Sequence, residues 1–567
     1  MTAAAVSALR SGVTRLLPGP ADLAAVRRQP GRDLLAGLTV AVVALPLALG
    51  FGIASGLGAA AGLATAIVAG TIAAIFGGSN LQVSGPTGAM TVVLVPIVHQ
   101  HGTGGVLTVG LLAGLILIAL AVSRAGRYIR YVPAPVVEGF TAGIAAVIFL
   151  QQIPAALGLT GEGEKVAVVA AHALRDFAQR PNWAAAGIAV GVAALMLVGA
   201  RWRPTVPFSL LAVAASTVLA KLADLDVVRI GALPATLPAP SLGFLDLPAI
   251  PGLFTAAVAV AALAALESLL SATVADGMTV GQRHDPDREL FGQGLANVVT
   301  PLFGGVPATA AIARTAVNVR SGAASRLAAL THAVALAAVL LAFAPLVAHI
   351  PLAALAGVLL ATAVRMVEFS SLAALGRASR SDALVMALTA AATLVLDLIA
   401  AVSLGLVITG ALALRKIAQA ARVEEVPLDP GDHLAEEHAL LAEHIVAYRI
   451  DGPLFFAAAH RFLLELTDVA DVRVIILRLS RISTIDATGA LVLRDAIDRL
   501  EHRGIVVYAS GLRPEHARAL GAVGVLGRLS DAGRLFDATP EAIAAARGHL
   551  QRVGVLPPPP TPDAAPD

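Results

Sequence analysis

The chain of 567 residues contains no cysteine, which excludes disulfides, thiolate metal sites and cysteine nucleophiles. Aromatic side chains make up only 4% of it, too few for a surface on which nucleic-acid bases stack. Forty basic residues against 38 acidic ones leave a net charge of +2, so no basic field marks a nucleic-acid partner either. Charge of any sign is scarce, at 14% of residues, where soluble domains carry about 25%. The shortage is uneven: from Leu34 to Ser123 there is no Asp, Glu, Lys or Arg, which is room for several membrane spans of ~20 residues. Arg10, Arg15, Arg27, Arg28 and Arg32 precede the first apolar run. No compact apolar core with a small-residue cleavage site lies there, so a cleaved signal peptide is not expected. The histidines lack metal-ligand spacing and no nucleophile–base pair stands out, so an enzyme, a metal or a cofactor is not expected.

What is present is apolar: 57% of the residues, with a mean hydropathy of +0.81. Fourteen apolar segments fall near 34–53, 57–77, 87–98, 104–123, 132–153, 183–200, 206–223, 252–275, 289–303, 309–319, 327–348, 351–366, 382–396 and 398–414. The third and tenth are short and begin after Gly/Pro clusters. With the N-terminus inside, one set of joints collects the basic residues, among them Arg124, Arg127, Arg130, Arg201, Arg203, Arg320, Arg326, Arg377, Arg380, Arg415 and Lys416. The joints at 54–57, 99–103, 301–308 and 349–350 carry none. This bias predicts a multi-pass protein of the cytoplasmic (inner) membrane with both termini cytoplasmic. Composition divides the chain into a cytoplasmic N-terminal segment (1–32), a transmembrane domain (33–420), a linker (421–439), a soluble domain (440–548) and a Pro-rich disordered tail (549–567).

An internal echo points to the site. Ile75-Phe76-Gly77-Gly78 precedes Pro86-Thr87-Gly88-Ala89-Met90, and Leu302-Phe303-Gly304-Gly305 precedes Pro307-Ala308-Thr309-Ala310-Ala311. Seven segments separate the two elements, an odd number, so the halves face opposite ways. Paired interrupted segments in two halves mark a transporter binding site at mid-membrane. The N-terminus of a broken helix offers free N–H donors and a positive dipole end to an anion. The candidates are Thr87 and Gly88 at one tip and Ala310, Ala311 and Ile312 at the other, with small residues allowing close approach. Arg314, about a turn into the tenth segment, would supply positive potential. Glu267 is the sole ionisable residue between Leu253 and Val274; an isolated intramembrane acid is a functional candidate, here for coupling protons to the anion. Ser268 and Ser271 accompany it. The alternative roles are a plain N-cap for Thr87, a snorkelling Arg314 and a structural Glu267–Arg314 pair.

These stretches, with Ala44-Leu45-Pro46-Leu47-Ala48, Gly85-Pro86-Thr87-Gly88, Pro133, Asn297, Phe303-Gly304-Gly305-Val306-Pro307 and Arg314-Thr315-Ala316-Val317-Asn318, resemble the SulP / solute-carrier-26 family of anion transporters. The resemblance implies fourteen segments in a seven-plus-seven inverted repeat. A core (segments 1–4 and 8–11) would move elevator-fashion against a gate (5–7 and 12–14), with the anion between the third and tenth half-helices, in a homodimer. It implies sulfate or bicarbonate as substrate. Other outcomes stay open: an uncoupled exchanger or channel, a dicarboxylate (fumarate) transporter, or the sodium-coupled bicarbonate branch, which the wording of the first span and of Pro86-Thr87-Gly88 resembles. That branch has Asp where this chain has Glu267, and a Thr sodium ligand where ungapped alignment places Ile312. Glu267 instead resembles members thought to be proton-coupled.

After about residue 440 strands and helices alternate: Val446–Ile450 as strand, Ala458–Leu466 as helix, Val472–Leu479 as a β-branched core strand, a helix through Leu500, then Ile505–Ala509 as strand. Such alternation implies an α/β sheet. Asp486-Ala487-Thr488-Gly489 resembles the STAS signature, in which the hydroxyl at Thr488 is a possible regulatory phosphosite; capping of the next helix is the simpler role. A STAS domain would also offer a place for cytoplasmic regulators. A nucleobase permease would lack such a domain, and fourteen spans exceed what a receptor anchor needs.

Overall fold

The computed structural model describes residues 15–127, 133–161, 163, 165–203, 206–280, 282–395, 398–420, 422–426, 443–455 and 472–556. The chain divides into two compact units, Met1–Val407 and Ile408–Asp567.

The first unit is helical. A short helix α1 (Pro20–Arg28) leads into α2 (Pro30–Ala54), where Pro30 sits in the first turn, a position at which its missing N–H costs nothing. There follow α3 (Ala59–Phe76), α4 (Gly88–Val122), α5 (Ala134–Ala156), α6 (Val166–Gln179), α7 (Trp183–Trp202), α8 (Phe208–Leu222), α9 (Ile250–Gly277) and α10 (Pro286–Val299). The second half continues with α11 (Ile312–Arg320), α12 (Leu327–Val347), α13 (Leu352–Met366), α14 (Phe369–Ala378), α15 (Arg380–Val395) and α16 (Leu398–Ala420). Among the described residues, 8 helical stretches are long and apolar enough to cross a membrane. Each expected apolar segment has a helical counterpart. The third and fourth are the two parts of α4, divided at Gly102, whose φ of 65° interrupts the helix and suits a residue without Cβ. The ninth is α10 and a 3₁₀ turn, Thr300–Phe303; the tenth is the short α11. The helices α6 and α14 are additions that the hydropathy pattern did not reveal.

Two packing groups stand out. Helices α2, α3, α4, α9, α10, α11 and α12 pack mainly on one another, as do α5, α7, α8, α13 and α15. These are the core and gate expected from the segment order. Small residues let the helices touch. A Cβ on Gly114 would lie 2.7 Å from Gly294 O, and one on Gly37 would meet Ala328 O and the Thr331 side chain. Close backbone approach replaces the hydrophobic effect as the source of helix association in lipid.

The second unit is built on a sheet of β3 (Arg422–Val426), β4 (Ile445–Leu454), β5 (Val474–Arg478), β7 (Val506–Ser510) and β8 (Leu535–Phe536), in that spatial order, with β6 (Ile482–Ile485) also paired to β4. β3 is antiparallel to β4; the other pairs are parallel. Ile475 and Leu477 face α17 (Ala487–His502), while Val474 and Ile476 face α20 (Thr539–Arg552). Burial on both faces explains why β5 reads as an unbroken apolar run and not as an alternation. Residues 422–426, assigned to a linker by composition, form a strand because β4 offers them a free edge. The helix expected at Ala458–Leu466 lies outside the described residues. The expected tail begins too early at 549, since α20 runs to Arg552 and buries Leu550; residues 557–567 lie outside the described residues.

Candidate functional site

Between α3 and α4, and between the 3₁₀ turn and α11, the chain leaves the helical path. Strand β1 (Ser84–Gly85) meets β2 (Thr309–Ala310) antiparallel, Ser84 opposite Ala310 and Gly85 opposite Thr309. β1 runs into the N-terminus of α4 and β2 into that of α11, so the two helix tips converge from opposite directions.

Irregular backbone inside a membrane must be satisfied by protein, and a set of buried side chains does this. Asn297 accepts from Ala308 N at 2.8 Å and donates to Ala308 O at 2.8 Å, which reproduces a strand partner. Gln82 donates to Ser268 O, Asn318 to Leu81 O, and Thr65 to Val306 O. Glu289 accepts from the amides of Gly78 and Ser79 and from Gln293, which also donates to Ser84 Oγ. Apart from Asn297 and Asn318, noted only for their places in motifs, none of these buried polar side chains stood out in the sequence. Each partner lies far away along the chain, and a lone Gln or Asn carries no local signal.

The first tip is closed. Thr87 is the N-cap of α4: its hydroxyl accepts from Met90 N at 3.4 Å and donates to Glu267 Oε2 at 2.8 Å. The amides of Gly88 and Ala89 make no described hydrogen bond. Phe51 of α2 and Ile148 of α5 pack against Gly88, leaving no space for a side chain there. This contact places the first tip at the boundary of core and gate.

The second tip is open. Ala311 caps α11 without any side-chain hydrogen bond, and Ile312 is 40% exposed. The sequence pointed to the amides of Ala310 and Ala311 as anion donors. In the structure Ala310 N donates to Ser268 Oγ at 3.3 Å and Ala311 N to Val83 O at 3.0 Å. The crossing of the two strands uses both. The unengaged donors sit further along, on Ile312, Ala313 and Arg314, the first-turn amides that every helix leaves unpaired.

Arg314 is 1% exposed and donates through Nη2 to Pro86 O, at the opposite tip. A snorkelling position is thereby excluded. Glu267 is near enough for the two charges to interact, yet the described contacts contain no ion pair between them; its Oε2 accepts from Thr87. Ser268 and Ser271 serve the scaffold. Ser268 Oγ lies 2.9 Å from Thr309 Oγ1, and Ser271 donates to Thr315 Oγ1, which accepts from Val83 N. In the second unit, Asp486 Oδ1 accepts from Gly489 N at 2.7 Å and so caps α17. Thr488 stands exposed in the first turn of that helix.

The inner ends of the core helices are tied by ions. Asp22 of α1 bridges Arg288 at 2.8 Å and Arg326 at 3.1 Å. Burial alone would raise the Asp22 carboxyl, but the Arg288 hydrogen bond, the Gly19 amide and the two guanidinium charges outweigh it and hold it below its usual value. Arg326 also donates to Gly77 O at the end of α3.

Comparison with known proteins identifies the family of the chain. Residues 31–389 match the Sulfate permease family and 439–542 match the STAS domain. YvdB of Bacillus subtilis (strain 168), a candidate sulfate transporter by name, is 36% identical over 88% of this chain and 94% of its own. The bicarbonate transporter BicA of Synechocystis is 32% identical over 90% of this chain and 93% of its own. The structure of the murine Solute Carrier 26 family member A9 anion transporter superposes with a TM-score of 0.82 at 16% identity, covering 95% of each chain, a likeness of fold. The chain therefore belongs to the sulfate permease family, the SulP / solute-carrier-26 transporters, and carries the STAS domain at its C-terminal end.

Proposed function

We propose that this protein is a secondary transporter of a small oxyanion, sulfate or bicarbonate, driven by protons. One observation carries the reading: two helix N-termini meet at an antiparallel crossing, with unengaged amides on Gly88, Ala89, Ile312, Ala313 and Arg314 and the guanidinium of Arg314 between them. Such an arrangement offers an anion several N–H donors, two positive dipole ends and a full charge. YvdB and BicA, similar over most of their length, are named for sulfate and bicarbonate.

Glu267 gives the proton its place. Its carboxylate is one hydroxyl away from the first tip. An ionised carboxylate repels an incoming anion; two unit charges about 4 Å apart interact by roughly 4 kcal/mol at an effective dielectric of 20. Protonation removes that repulsion, so proton and anion load together. The side chain of Ile312 supplies no oxygen, which argues against a side-chain sodium ligand at that position. The contact of Gly88 with Ile148 of the gate supports a site at the seam of core and gate, which suits an elevator-like displacement of one against the other. We place both termini in the cytoplasm of a cell whose inner membrane holds the protein as a homodimer, with Thr488 as an accessible position for regulation.

The test is uptake of labelled sulfate and bicarbonate into proteoliposomes with an imposed pH gradient, with and without sodium. Wild-type uptake is expected to rise with an inward proton gradient and to ignore sodium. Glu267→Gln, which keeps an oxygen for Thr87, is expected to transport at a rate insensitive to the pH gradient. Gradient-insensitive wild-type uptake would make the protein an uncoupled exchanger or channel.

A further inference from the structure

Three buried polar groups converge on strand β1 without a described partner. Arg314 Nη1 lies beside Gly85, where a side chain at that position would come within 2.6 Å of it. Gln293 Oε1 is unpaired although its amide nitrogen binds Ser84 Oγ. On α12, His332 is 0% exposed and neither ring nitrogen has a partner. His332 is outside the crossing and contributes nothing to the transport steps described above.

The geometry between these groups is specific. Gly70 of α3 faces them. A Cβ built there would be 3.4 Å from Ser84 O, 3.6 Å from Ala333 Cβ and 3.9 Å from His332 Nδ1. The missing side chain of Gly70 therefore opens a small polar space between the ring and the Ser84 carbonyl. A neutral imidazole has one donor and one acceptor nitrogen, and a buried polar space of this kind holds water when several partners surround it. The spare donor of Arg314, Nη1, lies beside Gly85, the next residue of strand β1 after Ser84.

We propose that His332 is a positioning residue for Arg314, acting through a water seated beside Gly70 that links the ring, the Ser84 carbonyl and the guanidinium. The inference rests on the anion-binding role of Arg314. The link holds Nη1 against Gly85 while Nη2 is held by Pro86 O, so that the guanidinium keeps one orientation between the tips. The water makes the contact adjustable as the anion enters and leaves.

Two variants test it, in transport assays with the anion that the wild type carries. Gly70→Ala puts a methyl group into ordinary contact distance and removes a glycine from a helix interior, so the protein should be at least as stable as the wild type. It should nevertheless raise the KM for the anion about 5- to 10-fold with little change in maximal rate, because the methyl displaces the water. His332→Leu should raise KM in the same way, and His332→Gln, which keeps a donor and an acceptor, should recover most of the wild-type value. A Gly70→Ala protein with unchanged KM overturns the proposal, whether or not His332→Leu folds. If the wild type carries no anion, the functional reading fails instead, and the two failures are distinct.

Discussion

At the start of α4 the capping residue is Thr87, whose hydroxyl accepts from Met90 N and donates to Glu267. At the start of α11 it is Ala311, which has no side chain able to cap. The first tip is also covered by Phe51 and Ile148, while Ile312 stands 40% exposed at the second. The two halves of an inverted repeat thus bring the same element, a helix N-terminus, to one place and finish it differently. One tip has a side-chain cap wired to an acid, the other has no side-chain cap. Arg314 spans both, rooted in α11 and bound to the carbonyl of Pro86.

The largest expected effect comes from cutting that span. Arg314→Gln removes the full charge between the tips, and a hydrogen bond made by a charged group is worth about 1.5–3 kcal/mol; a loss of roughly 10- to 100-fold in uptake per unit of anion concentration should follow. Measured uptake close to the wild type would remove Arg314 from the site. A smaller effect is expected from making the tips alike. Ala311→Ser gives α11 the side-chain cap that α4 already has, worth about 1 kcal/mol. That hydroxyl competes with the anion for the Ala313 and Arg314 amides, so KM should rise about 5-fold while the thermal midpoint of the protein holds or rises.

The smallest effect concerns the ion pairs of Asp22, which involve no residue of either tip. The Asp22 carboxyl is held below its ordinary value by Arg288 and Arg326 against the opposing effect of burial. A depressed carboxyl stabilises the fold above its unfolded-state value of about 3.9, and that contribution fades as pH falls through the folded-state value. The hydrogen-exchange protection factors of residues 20–28, each rate taken relative to the intrinsic rate at the same pH, should therefore be unchanged between pH 7 and 5 and fall only in stronger acid. Asp22→Asn should show the acid behaviour at neutral pH, with anion KM unaltered. A change in KM would mean that the ties at the inner ends shape the tips as well.

The sequence announced some parts of this structure and was silent on others for physical reasons. Spans such as α2 and α9 follow from apolar length, because lipid selects for it whatever the neighbours are. The strand β5 follows from its β-branched run. Thr87, Glu267 and Arg314 were legible because a polar group in an apolar run is costly and stands out. The roles of Gln82, Asn297, Gln293 and Asn318 were not legible. Each satisfies a backbone group far away in the chain, and only the fold says which.

By itself the sequence determined where the long apolar helices lie, the two interrupted segments, the α/β domain that follows and the ionisable residues at issue. The tertiary structure alone decided which amides remain unengaged. Pairing Ser84 with Ala310 turned the Ala310 and Ala311 donors inward to Ser268 and Val83 and left those of Ile312, Ala313 and Arg314. A backbone donor is the same chemical group at every position in the chain, so its availability is a property of what crosses it in space.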